Sequence, residues 1–260
     1  MKRSRELYQA YLIEHVLNPF YAKRLNDLKS MRLEKVLKRK NPYLFKAKNI
    51  EIAGDLVKSI VDAFLSSQEE TMFGNLLENF AIYVSQITDG GFKSKFKSVD
   101  LEFERQGIYY IVGIKSGTNW GNADQINAMK NNFKLAKQVL REQGIVGEIV
   151  AVNGCMYGTE ANPLRNKRQI KRGVFEPEEP DKVYYKYAGQ DFWQFISGDD
   201  NLYQEIIIPI DQEAKQKDEA FKTAYSSKVN EMTQEFTQHF MAPNNQIDWV
   251  KLIDFVSKRR

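Results

Sequence analysis

Ser98–Arg105 reads SVDLEFER and Ile108–Lys115 reads IYYIVGIK, with only Gln106-Gly107 between them. The first run alternates polar and apolar residues. The second is rich in β-branched and aromatic residues. The pair therefore predicts a β-hairpin closed by a short Gly-containing turn. With Gln106-Gly107 at the tip, Arg105 faces Ile108. Phe103, Leu101 and Val99 then face Tyr110, Val112 and Ile114 on one apolar side, as a buried sheet face requires. Glu104, Glu102 and Asp100 fall opposite Tyr109, Ile111 and Gly113 on the other side. Lys115 lies on that side too, diagonal to Asp100 and roughly 7–8 Å away at the backbone, within reach of a lysine side chain. The register thus brings a carboxylate and an ammonium together beside the minimal side chain of Gly113.

The surroundings of the hairpin set the fold class. After a Gly- and Asn-containing loop, Asp124–Gln143 has Ile126, Met129, Phe133, Ala136 and Leu140 at helical spacing, and Gly144 closes it. GEIVAVN (Gly147–Asn153) reads as a buried strand, and Lys182–Tyr187 as another, with an irregular basic and then acidic Pro-rich stretch over 154–182. Upstream, helices are expected over 4–17, from Asn18-Pro19 to about Arg39, over 52–65 and over 69–86. The last carries an apolar stripe of Phe73, Leu76, Leu77, Phe80, Ala81 and Val84. NPYLFKAKN, after residue 40, reads as a loop. Helices are expected to fill most of 189–208 and 211–240, with a short one over 246–257. The order implies an α/β protein with a mixed central sheet flanked by helices and helical additions at both ends. The expected organisation is a helical arm over 1–50, a core over 51–200 and terminal helices over 201–260.

Composition narrows the function classes. The 260 residues include 13 Tyr and 16 Phe, enough for a real core. No apolar run approaches the roughly 18 residues that a membrane span needs, and the basic, amphipathic start lacks the apolar stretch of a secretory signal. A cytoplasmic protein is expected. One cysteine and two histidines (Cys155, His15, His239) exclude an intramolecular disulfide and a Cys/His zinc site. Cys155 itself reads as a small buried residue. Any metal site must use oxygen ligands, which suits Mg²⁺. The net charge is only +4, but cations cluster in Met1–Lys48, in Arg165–Arg172 and in the terminal Lys258-Arg259-Arg260. Such clusters are electrostatic footprints for phosphate backbones, or solvated surface.

A carboxylate and a lysine meeting at the end of a sheet can work on a phosphodiester. The carboxylate holds Mg²⁺ beside the phosphate, and the ammonium orients the attacking water or stabilises the developing charge. On a solvated face the same pair would be only an ion pair worth about 0–1 kcal/mol. In the following loop, Ser116, Asn119, Asn122 and Gln125 could contact phosphate or base edges. They could equally serve turn chemistry, with Asn122 or Asp124 as helix N-cap. The cations Arg165, Lys167, Arg168, Lys171 and Arg172 are expected to hold a nucleic-acid phosphate backbone.

SVD and GIKSG, separated as in a hairpin and followed by a long helix, resemble the PD-(D/E)XK nuclease superfamily. NPYLFKAKN, FGNLLE, SVDLEFE and GIKSGTNWGNADQ followed by NNFKLAK together resemble type II restriction endonucleases, over roughly residues 40–155. The resemblance implies a restriction-endonuclease-like fold and Mg²⁺-dependent cleavage of double-stranded DNA at a specific, palindromic sequence, by a homodimer without membrane association. It implies Asp100 and Lys115 as catalytic residues, with Asp100 and the backbone carbonyl of Ile114 on the metal. The chain departs from the pattern where the second acid normally stands, two residues before the lysine, because that residue is Gly113. Glu78, on the preceding helix, is the candidate replacement and metal ligand, with Glu102 as its rival. The alternatives are a structure-specific repair or recombination nuclease, and a DNA-binding protein of the same fold that no longer cuts.

Overall fold

A computed structural model describes residues 2–159 and 183–259. Contacts divide the chain into two compact units. One comprises Met1–Val16 and Gly74–Ile210, the other Leu17–Phe73 and Asp211–Arg260.

The first unit is built on a five-stranded mixed sheet in the order β1-β2-β3-β4-β5. The strands are β1 (Phe92–Lys93), β2 (Leu101–Arg105), β3 (Ile108–Lys115), β4 (Glu148–Cys155) and β5 (Tyr185–Ala188). β1, β2 and β3 are antiparallel neighbours, and β3, β4 and β5 are parallel. The mixed α/β sheet flanked by helices is therefore as the sequence implies. β2 and β3 pair from Leu101↔Val112 to Arg105↔Ile108, the register expected from the alternation. Gln106 and Gly107 both have positive φ, which matches the twist of a two-residue hairpin turn.

Helix α6 (Ala123–Glu142) makes the parallel crossover from β3 to β4. It buries Met129, Phe133, Ala136 and Leu140 against Val99, Ile111, Ile149 and Ala151. Elsewhere in this unit Phe103 stacks on Tyr110, and Phe195 packs on both rings and on Tyr187. Phe195 belongs to α7 (Gln190–Ser197). α1 (Lys2–Tyr11) and α8 (Leu202–Glu205) complete the unit; Arg5 pairs with Asp199 and Glu205.

The second unit is helical: α2 (Asn18–Lys29), α3 (Leu33–Arg39), α4 (Pro42–Ala47), α10 (Trp249–Ser257), the first part of α5 (Ala53–Asp89) and most of α9 (Ile207–Phe240). Its core includes Leu28, Val36, Leu56, Val61, Met232 and Phe236. Among the described residues no helix is long and apolar enough to cross a membrane.

Four local expectations need correction. Residues 18–39 form two helices, α2 and α3, because the Ser30 N–H closes the first on the Asn26 and Leu28 carbonyls and Arg32 is extended. NPYLFKAKN is not a loop: Asn41 Oδ1 accepts from the N–H groups of Tyr43 and Leu44, and Pro42 sits in the first turn, so the segment starts a helix. Residues 52–86 do not form two helices, because SSQEE contains no breaker. Ser67 Oγ bonds the Ala63 carbonyl and Thr71 Oγ1 the Ser67 carbonyl, so the hydroxyls are satisfied inside one continuous helix. Val99 does not share the Leu101–Phe103 face; it packs with Ile111 and Phe133. The cause is a bulge. Asp100 N–H donates to the Val112 carbonyl at 2.7 Å, although Val112 is already the register partner of Leu101. Two residues of one strand thus oppose one of the other, just after Ser98 takes a positive φ of 62°.

Candidate nuclease site

The bulge determines what Asp100 can reach. Its Oδ2 accepts from the Ile114 N–H at 2.7 Å and stands 3.6 Å from Lys115 Nζ. Lys115 Nζ also donates to the Ile114 carbonyl at 2.8 Å and lies over the Trp120 ring, 5.4 Å from its centroid. One carboxylate oxygen is therefore anchored on β3, and the other, Oδ1, faces away from that anchor.

Glu78 arrives from α5. Arg105, the last residue of β2, forks onto Asp89, the last residue of α5, and ties that helix to the hairpin. Gly74, one turn before Glu78, has no side chain where Ser116 Oγ approaches; a Cβ there would lie 2.7 Å from that oxygen. Lys93 of β1 joins the two acids. Its Nζ is 2.6 Å from Glu78 Oε1 and 3.5 Å from Asp100 Oδ1. Partial burial opposes the Lys93 charge, but the hydrogen bond and charge of Glu78, aided by Asp100, outweigh it and raise the lysine's pKa.

Glu102 is engaged elsewhere. It is 4% exposed, and its Oε2 accepts from the Tyr109 hydroxyl at 2.9 Å. Burial and then the Glu102 carboxylate push the Tyr109 phenol well above its usual pKa.

Gly113 is a steric requirement. A Cβ on it would stand 2.7 Å from the Ser98 carbonyl oxygen and 3.2 Å from the buried Phe133 ring. No acid fits there on this backbone. Gly113→Glu is accordingly expected to lose about 1–3 kcal/mol of stability by overpacking, read by chemical denaturation, and not to restore cutting to a Glu78→Gln variant. Full stability would show that the backbone has room for the acid.

Among the described residues no cluster of three or more His, Cys, Asp and Glu could form a self-contained metal cage. Two carboxylates and a carbonyl nevertheless match how Mg²⁺ is held, by one or two acids with the remaining positions left to water and phosphate.

The loop candidates divide. Asn122 and Gln125 form a capping box: each side-chain oxygen accepts from the other's backbone N–H at 3.0 Å, starting α6. Ser116 gives its carbonyl to Tyr157 N–H, and Asn119 is exposed in the loop. Arg165, Lys167, Arg168, Lys171 and Arg172 lie outside the described residues. Cys155 is buried.

Sequence reasoning missed three residues. Lys93 sits in FKSKFKS, which has the pattern of a solvated edge. Trp120 reads as packing. Asn153, the register partner of Gly113, is 2% exposed with no hydrogen-bond partner for its Oδ1 among the described residues. A lone Asn following the apolar run Ile149–Val152 is the available signal.

A family model described as type II restriction endonuclease EcoO109I matches residues 8–218. A search of curated proteins finds no match. The matched span takes in the hairpin, α6 and the helix that carries Glu78, and it covers most of the chain. The chain belongs to the EcoO109I family of type II restriction endonucleases, nucleases that bind DNA.

Proposed function

We propose that this endonuclease hydrolyses phosphodiester bonds of double-stranded DNA at a specific palindromic sequence, with Mg²⁺, as a homodimer. The reading rests on the convergence of Glu78 from within α5, Asp100 just before β2 and Lys115 at the end of β3, the first two joined through Lys93. Glu78, Asp100 Oδ1 and the Ile114 carbonyl would hold the cation. When bound, the metal polarises the phosphoryl oxygen and lowers the pKa of the attacking water.

The chain's own residues supply orientation and charge. The Ile114 N–H fixes the Asp100 carboxylate, so the acid is positioned before substrate arrives. Lys115, steadied by the Ile114 carbonyl and Trp120, directs an ammonium at the same place. There it can orient water for attack on phosphorus or stabilise the charge that grows as the P–O bond to the leaving oxygen breaks. Two-fold DNA symmetry suits two copies of the chain, one for each strand.

A second reading rests on Gly113, which removes the usual acid: a DNA-binding protein of the same fold that does not cut. Plasmid DNA incubated with and without Mg²⁺ separates the two. Discrete fragments only with Mg²⁺ are expected. Retained DNA binding without cutting would favour the second reading, and structure-dependent nicking a repair nuclease.

A further inference from the structure

The Lys93 ammonium lies between the two acids proposed to hold the cation, 2.6 Å from Glu78 Oε1 and 3.5 Å from Asp100 Oδ1. Those oxygens come from different elements, α5 and the start of the hairpin, and two carboxylates drawn together without a cation repel each other. The side chains of Glu78 and Asp100 are only 23% and 18% exposed, whereas that of Lys93 is 53% exposed. Its strand, β1, has two residues and forms the sheet edge. A lysine there can swing its flexible stem into water without disturbing the ladder.

We propose that Lys93 is an exchangeable counter-cation, which holds Glu78 and Asp100 together in the metal-free enzyme and must leave when a divalent ion binds. Resting on the reading of Glu78 and Asp100 as metal ligands, it makes cation loading a competition. The free acid pair is never empty, and divalent affinity is set by the difference between ion and ammonium. Lys93 is a positioning residue: it acts through the two acids. Lys115 is distinguished from it by its anchor. Its Nζ meets Asp100 on the Oδ2 side and takes one lone pair of the Ile114 carbonyl, which leaves Glu78, Asp100 Oδ1 and the other lone pair to the cation.

The test is Mn²⁺ binding to the intact protein without DNA, read by the electron paramagnetic resonance of free Mn²⁺, with Ca²⁺ confirmed by calorimetry. Lys93→Met should bind Mn²⁺ more tightly than wild type, by on the order of tenfold. It should melt at a lower temperature in EDTA, where the acids repel, and regain the wild-type melting temperature with Mn²⁺. Lys93→Arg, which keeps the charge, should bind Mn²⁺ about as weakly as wild type. Glu78→Gln and Asp100→Asn, each in the Lys93→Met background, should lose the gained affinity. If Lys93→Met binds Mn²⁺ no more tightly than wild type, or gains nothing over Lys93→Arg, the exchange is overturned. If it binds more tightly but keeps that affinity without Glu78 and Asp100, the assignment of those acids to the metal is what fails. The EDTA melting curve establishes that each variant is folded.

Discussion

Asp100→Asn and Lys115→Met are each expected to slow cleavage by a factor on the order of 10³ or more, while fold and DNA binding survive. Asparagine keeps an oxygen to accept the Ile114 N–H, so the bulge that holds residue 100 stays satisfied. What it loses is the negative charge that a cation needs. Lys115→Met keeps most of the aliphatic stem and removes the ammonium, which lies over Trp120. The ion pair between them is mostly buried, with 18% and 28% of the side chains exposed, so either variant loses some stability, and a melting curve checks that each is folded. Neither variant should weaken DNA retention much, and Asp100→Asn removes a charge that repels phosphate. Single-turnover cleavage together with a binding isotherm in Ca²⁺ checks both halves. A variant cutting at near wild-type rate would move the chemistry away from this pair.

Glu78→Gln is expected to slow cutting by a factor on the order of 10², whereas Glu102→Gln should cut nearly normally. Both acids precede β3 and both were open from the sequence. Their surroundings separate them. Glu78 shares Lys93 with Asp100, and Glu102 is buried with the Tyr109 hydroxyl as donor. Gln at 102 still offers an oxygen to that hydroxyl. Gln at 78 cannot supply the charge. Cleavage rates at saturating Mg²⁺ distinguish them, and the reverse order would put the metal site wholly on the hairpin.

The hairpin register was legible because polar and apolar residues alternate without a break up to Glu104, and only one pairing keeps the apolar set on one side. The meeting of Asp100 with Lys115 followed from it. The bulge was not legible. It depends on Ser98 adopting a left-handed conformation, which a serine does not announce, and it reverses the facing of Val99. Asn122-x-x-Gln125 carries the signature of a capping box, so its structural use was visible beside the proposed use in DNA contact. The polarity of SSQEE resembles a linker, yet side-chain bonding to the preceding turn keeps such residues helical within α5. Glu78 emerged only through resemblance, since no local pattern tells a helix glutamate that a strand will stop beside it.

The carbonyl of Ser98 beneath Gly113 has a consequence for how this site can change over generations. An acid at residue 113 and the present path of the chain at Ser98 exclude each other, because a Cβ would stand 2.7 Å from that oxygen. Reversion to the common pattern by one substitution would strain the hairpin before it improved the chemistry. A second change, re-routing residues 98–100, would have to come first, and alone it would unseat Asp100 from the Ile114 N–H. Each step is harmful without the other. With Glu78 as the proposed second acid, its place on the helix acts as an evolutionary ratchet, and descendants of this chain are expected to vary at Gly113 far less than an ordinary strand glycine would.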